Sequence, residues 1–164
     1  KAKNEPLEAY LKEDGGASFL TPPSAIFRLP CDVALPCATQ NELDLESAKA
    51  LVAGGVRMVC EGANMPSTPE AIEYFLEHGV LFGLGKAANA GGVAVSCLEM
   101  TQNATFLPWT FEEVDAKLKE IMKNIFRRSR DAAIRLGKPE NLLAGASVAG
   151  FLKIYEAMRA QGVV

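Results

Sequence analysis

Val56-Arg-Met-Val-Cys-Glu-Gly-Ala-Asn-Met-Pro-Ser-Thr-Pro-Glu-Ala-Ile-Glu-Tyr-Phe-Leu-Glu-His-Gly-Val-Leu-Phe-Gly-Leu84 is the stretch from which the fold can be read. Two short apolar runs, Val56–Cys60 and Val80–Leu84, flank a helical pattern. Ser67 stands three residues before Glu70, the spacing of a capping box, with Pro69 in the first turn and Gly79 at the exit. A third apolar run, Val33–Pro36, begins 23 residues before Val56, and Val80 begins 24 residues after it. Between the first two runs, Asp44 can cap a helix over Leu45–Ala53 that Gly54 and Gly55 terminate. Strand, helix, strand, helix, strand at this spacing predicts an α/β fold with right-handed crossovers and a parallel sheet. The strands are almost continuously apolar, which suits a sheet covered on both faces.

Beyond Leu84 the pattern is helical. An apolar helix over Val93–Phe106 follows a Gly-rich turn. Thr110 and Glu113 form a second capping box, and Val114, Leu118, Ile121, Met122 and Ile125 make one face of a helix over 111–136, which Gly137 and Pro139 stop. A last helix is expected over Ala146–Gln161. Residues 1–16 are polar, with helical character at Leu7–Lys12 and no strand signal. Three strands make a poor domain with an unpaired apolar edge, so a partner sheet is expected upstream.

Composition narrows the function. A net charge of −3 gives no electrostatic reason to expect nucleic acid or an anionic membrane surface as partner. The basic cluster Arg127, Arg128 and Arg130 sits among acidic neighbours and reads as a solvated or subunit-facing helix. No apolar run is long enough to cross a bilayer, and no signal peptide opens the chain. The cysteines Cys31, Cys37, Cys60 and Cys97 show no CxxC spacing, and with His78 the only histidine a zinc site is hard to assemble. They read as reduced, partly buried thiols of a cytoplasmic protein, with no metal.

Ligands of an open parallel sheet bind where strand ends run into helices. The three segments at those places are Pro36–Glu42, Glu61–Pro66 and Gly85–Gly92, rich in small residues and asparagine. Small residues admit a flat ligand close to the backbone, and an asparagine both donates and accepts. Three such loops in corresponding places point to a ligand site. Each residue also has a plainer reading: Asn64 and Asn89 as caps or turn formers, Gly62 as a packing glycine, Gly91 and Gly92 as a turn. Lys86 reads first as half of a structural ion pair, and His78 as a helix C-terminal residue. No GxSxG, Walker or HExxH motif is present, and Gly83-Leu84-Gly85 does not complete GxGxxG.

The runs Leu35-Pro-Cys-Ala-Thr-Gln-Asn-Glu-Leu43, Glu61-Gly-Ala-Asn-Met-Pro66, Gly85-Lys-Ala-Ala-Asn-Ala-Gly-Gly-Val-Ala-Val-Ser96 and Leu98-Glu-Met-Thr-Gln-Asn103 resemble the C-terminal half of NADP-type hexameric glutamate dehydrogenases. The similarity continues through Ala149-Gly-Phe-Leu-Lys153 to Ala160-Gln-Gly-Val-Val164 and is loose over residues 1–29. The resemblance implies a partial Rossmann-like sheet, βαβαβ, followed by long C-terminal helices. Residues 1–140 would be part of a dinucleotide-binding domain, and 141–164 a helix returning to a substrate domain. It further implies reversible deamination of L-glutamate to 2-oxoglutarate and ammonia, with NADP (or NAD) as cofactor and a homohexamer as the assembly. Ala38, Thr39, Asn64 and Asn89 would line the cofactor, and Val93 and Ser96 would reach the glutamate side chain, Ser96 through its hydroxyl.

No segment matches the family's reactive lysine, catalytic aspartate or pyrophosphate turn. No catalytic residue is therefore expected here, and Lys86 is not a counterpart. The competing readings are a stand-alone nucleotide-binding or interaction module, and a dehydrogenase for branched-chain or aromatic amino acids. A serine at 96 favours a carboxylate-bearing substrate over the latter. The purified 164-residue chain is expected to show no glutamate-dependent reduction of NADP and weak binding of it at most; turnover in that assay would overturn the expectation.

Overall fold

The computed structural model describes residues 7–12, 16 and 18–162. Three strands, β1 (Val33–Ala34), β2 (Met58–Cys60) and β3 (Leu81–Gly83), form a parallel sheet in the order β1-β2-β3. Val33 pairs with Met58 and Ala34 with Val59; Met58, Val59 and Cys60 pair with Leu81, Phe82 and Gly83. The helices α1 (Leu45–Ala53) and α2 (Pro69–Glu77) are the crossovers. Successive side chains of a strand face opposite sides of a sheet. Ala34, Val59 and Phe82 therefore share one face, where they are buried with Leu43, Ala48, Leu51, Val56, Ala71, Phe75 and Val80. Phe75 and Phe82 stack at its centre, ring centroids 6.2 Å apart.

The strands are shorter than their apolar runs. Pro36 has no N–H to give a ladder, and Val56 bonds back to Leu51 O at 3.0 Å as part of the turn out of α1. Coverage of the second face is also less complete than continuous apolar strands suggest. Met122, Ile125, Phe126 and Leu142 come over Met58, Cys60, Leu81 and Gly83, leaving an apolar hollow of about 240 Å³ between them. Nothing among the described residues covers Leu35, which is 62% exposed. The 3₁₀ segment Pro23–Arg28 packs on α1 without pairing with β1. Leu7–Lys12, expected to be helical, is a 3₁₀ turn.

Most caps lie where the residue types put them. Asp44 accepts the Ser47 N–H at 2.9 Å, Gly55 carries φ +88° beyond α1, and Thr110 with Glu113 forms the capping box of α5 (Phe111–Arg135). His78 ends α2, its ring stacked on Tyr74. The cap of α2 departs from expectation. Thr68, not Ser67, accepts the Ala71 N–H, because Ser67 is drawn inward: it bridges Leu43 and gives its own N–H to Glu61.

The Gly-rich segment also departs from the expected turn. A single helical turn, α3 (Gly85–Ala88), leads directly into α4 (Ala90–Thr105), so Gly91 and Gly92 lie inside α4 rather than before it. A Cβ on Gly91 would sit 3.2 Å from Leu118 Cδ1, so its missing side chain serves the approach of α4 to α5. The last helix, α6 (Leu142–Gln161), starts four residues earlier than expected, capped by Asn141 on the Ala144 N–H. Its first half packs against α5 at Gly145, where a Cβ would overlap the Ser129 carbonyl and lie 2.9 Å from Ala133 Cβ. Its later half leaves Phe151, Ile154, Tyr155 and Met158 exposed. No described helix is long and apolar enough to cross a membrane.

Two outcomes are expected. Gly145→Val forces α5 and α6 apart and costs about 3 kcal/mol in thermal or denaturant unfolding, an overpacking penalty; an unchanged midpoint would contradict the close crossing. The hydrogen bonds from the Ser47 amide and hydroxyl hold the Asp44 carboxyl below its ordinary value of 3.8. The native state thus binds that proton more weakly than the unfolded chain, so the cap contributes fully above the ordinary value and fades as pH falls through the native one. Asp44→Ala is expected to cost about 1 kcal/mol at neutral pH, with the gap from the parent chain closing in acid; a pH-independent gap would contradict the cap.

Candidate functional site

The carboxyl ends of the strands bring three loops together. Pro36 O, just beyond β1, accepts the N–H groups of Gly62 and Ala63 at 3.0 and 3.1 Å. Further along the same two loops, Asn41 N–H donates to Met65 O at 3.0 Å, Leu43 N–H to Pro66 O at 2.9 Å, and Thr68 N–H to Leu43 O at 3.0 Å. Asn41 and Met65 both take the left-handed backbone, φ +56° and +50°. Asparagine tolerates that conformation; for methionine it is a strain that the flanking bonds hold in place.

The second and third loops are joined by side chains. Asn89 Nδ2 donates to Ala63 O at 3.2 Å and to Asn64 Oδ1 at 2.8 Å. Asn89 occupies the N-cap position of α4, yet its side chain makes no capping bond; it is spent across the loops instead. The plainer reading of Asn64 and Asn89 as isolated turn residues therefore does not describe them. With both Asn89 amide hydrogens used, Asn89 Oδ1 and Asn64 Nδ2 have no partner among the described residues. The pair thus leaves one acceptor and one donor unbonded among the described residues.

Glu61 is the residue that sequence reasoning passed over. It is 1% exposed, and its two carboxyl oxygens accept the N–H groups of Ser67 at 3.2 Å and Gly85 at 2.7 Å. A charged residue type directly after an apolar strand, in a position due for burial, is the signal that could have found it. Ser67 Oγ, also buried, has no hydrogen-bond partner among the described residues.

The other expected residues lie around this junction. Ala38 and Thr39 are exposed on the first loop, where Ala38 N–H donates to Glu42 Oε1 at 2.9 Å. Val93 and Ser96 share a face of α4, one turn apart, and both are exposed, Val93 by 70%. The Ser96 hydroxyl donates to Gly92 O at 3.2 Å, leaving its lone pairs available. Gly62 is a packing glycine in a specific sense: a Cβ there would overlap the Cys37 sulfur. Lys86 is exposed with no ion-pair partner among the described residues, which corrects the expected structural pair; its place in the single turn α3 turns it to solvent.

All four cysteines are free: Cys31 and Cys60 are half-buried, Cys37 and Cys97 exposed. Burial pushes the Cys60 thiol above its ordinary value, and the neighbouring Cys37 and Glu61 add to the rise. Among the described residues no His, Cys, Asp and Glu side chains gather into a group that could hold a metal ion. What the junction offers is hydrogen bonding and a shelf of small residues at the end of a parallel sheet.

A family model described as glutamate/leucine/phenylalanine/valine dehydrogenase matches residues 1–162. The chain is 51% identical over 162 residues to an NADP-specific glutamate dehydrogenase of Helicobacter pylori, covering 99% of this chain and 34% of that protein. With the NADP-specific glutamate dehydrogenase of Escherichia coli it shares 56% identity over 136 residues, covering 83% and 30%. Among solved structures, Plasmodium falciparum glutamate dehydrogenase superposes with a TM-score of 0.93 at 45% identity, over all of this chain and 35% of that one. A hetero-hexameric glutamate dehydrogenase from Thermus thermophilus superposes with a TM-score of 0.80 at 26% identity, over 96% and 37%. The chain spans about a third of the length of the curated relatives it matches.

Proposed function

Because this chain belongs to the glutamate/leucine/phenylalanine/valine dehydrogenase family, we propose that it carries the later half of the dinucleotide site of an NADP-dependent glutamate dehydrogenase. The observation that carries this reading is the hydrogen bond between Asn64 and Asn89 at the strand ends, with one acceptor and one donor left over. A nicotinamide nucleotide offers hydroxyls and a carboxamide that match such a pair. The backbone at Gly62 and Ala63 is bare enough for a flat group to lie against, and Ala38 and Thr39 extend the shelf towards β1. The residues present thus fit the group.

When bound, the nucleotide would accept the hydride released on oxidation of the amino acid. This chain's own part is to bind and orient. Asn64 and Asn89 hold the ribose and nicotinamide region. Val93 and Ser96, on the exposed face of α4, meet the substrate, with the Ser96 hydroxyl turning from Gly92 O to the distal carboxylate of L-glutamate. That exchange replaces a weak back-bond within the helix with a charge-assisted one. The proton transfers to and from the amino group, giving 2-oxoglutarate and ammonia, are assigned to residues outside this chain. Residues 1–140 form the partial dinucleotide-binding unit in this reading, and the exposed later half of α6 faces the rest of the protein. Assembly as a hexamer belongs to the same proposal; the Thermus thermophilus relative is a hetero-hexamer.

The test is steady-state kinetics on the natural gene product. Glutamate-dependent reduction of NADP is expected. Asn64→Ala and Asn89→Ala are expected to raise the KM for NADP about tenfold, the value of one good hydrogen bond. Ser96→Ala should raise the KM for glutamate by a similar factor and leave that for NADP unchanged. A product that turns over leucine or phenylalanine in preference to glutamate would refute the substrate assignment.

A further inference from the structure

We propose that Glu61 is the positioning residue of this site: its buried carboxyl group sets the distance between the loops that carry Asn64 and Asn89. The inference rests on the reading of those asparagines as nucleotide contacts. Ser67, which gives its N–H to Glu61, follows Asn64 by three residues; Gly85, which gives its N–H to the other oxygen, precedes Asn89 by four. Between Gly85 and Asn89 lies only the single turn α3, closed by Asn89 N–H to Gly85 O at 2.8 Å. Fixing Gly85 therefore fixes Asn89. The backbone bonds that hold the second loop otherwise run to the first loop, through Pro36, Asn41 and Leu43. Towards the third loop, the ties among the described residues are Glu61 itself, main chain and side chain, and the asparagine pair.

The chemistry suits the task. Two backbone N–H groups cannot rotate away from an acceptor as side chains can. A carboxyl group removed from solvent is costly to leave without donors, so it holds both segments to one separation. Glutamine has the same shape, but its amide offers an oxygen to one N–H and an NH₂ group to the other, so one of the two anchors is lost. The free acceptor and donor of the asparagine pair then no longer stand at a fixed spacing, and binding energy is lost at the nucleotide rather than at the amino acid.

The experiment is a kinetic double-mutant cycle in the natural gene product. Glu61→Gln is expected to raise the KM for NADP about tenfold while leaving the KM for glutamate within about twofold; in an Asn89→Ala background the same change should move it less than about twofold, because residues acting through one another are not additive. A role in folding alone lowers activity per milligram with the KM for NADP unchanged, or adds fully to Asn89→Ala, and either result overturns the proposal. Should Glu61→Gln fail to fold, Gly85→Ala decides. Its Cβ would sit 3.0 Å from Ala63 O and 3.1 Å from Glu61 Oε2, pressing on the same clamp while suiting a helical turn. A raised KM for NADP supports the proposal, and an unchanged one overturns it. If Asn64→Ala and Asn89→Ala leave the KM for NADP unchanged, the dinucleotide reading falls and the proposal with it; if they raise it and Glu61→Gln does not, the proposal alone falls.

Discussion

Glu61 gives up solvent to accept two main-chain N–H groups 18 residues apart in sequence, Ser67 and Gly85, and so ties the second strand-end loop to the third. Strands of two and three residues supply few ladder bonds of their own. What extends order beyond them is a second tier of loop bonds: Pro36 O to Gly62 and Ala63, Asn41 to Met65, Leu43 to Pro66, and the Glu61 carboxyl to the third loop. The sheet is short, but its order continues into the loops where a ligand of such a fold binds.

That tier rests on a sheet whose two faces are covered unequally. Ala34, Val59 and Phe82 pack into a closed apolar core with α1 and α2, whose caps at Asp44 and Thr68 start each helix where the loop above it ends. Asp44 follows the bonded Leu43 directly, and Thr68 follows Ser67, so the loop bonds and the helix caps share neighbouring residues. On the opposite face, α5 and α6 cross closely at Gly145 and Ser129 and cover β2 and β3, leaving Val33 and Leu35 exposed. At the α4–α5 connection, away from the strand ends, Phe106 is 90% exposed.

The matched family acts on amino acids, and the chain aligns with NADP-specific relatives over about a third of their length. The residues gathered at the strand ends donate and accept hydrogen bonds and, through alanine and glycine, leave room beside the backbone.

The sequence by itself determined the βαβαβ rhythm, the parallel sheet, the Asp44 and Thr110 caps, and the three loops at the strand ends. These rest on patterns local to a few residues: apolar runs, cap spacings and terminating glycines. Its errors fell where two local signals competed, as at Ser67 and Thr68, or where glycine was read for its flexibility rather than its size. Gly91 and Gly92, read as a turn, lie inside α4, and at Gly91 α5 passes too close for a side chain. Only the tertiary structure decided that Asn89 would forsake its own helix for Asn64, and that Glu61 would be buried between two loops. Those contacts join residues about 24 positions apart, and a partner that distant is chosen by how the layers pack, which no local pattern encodes.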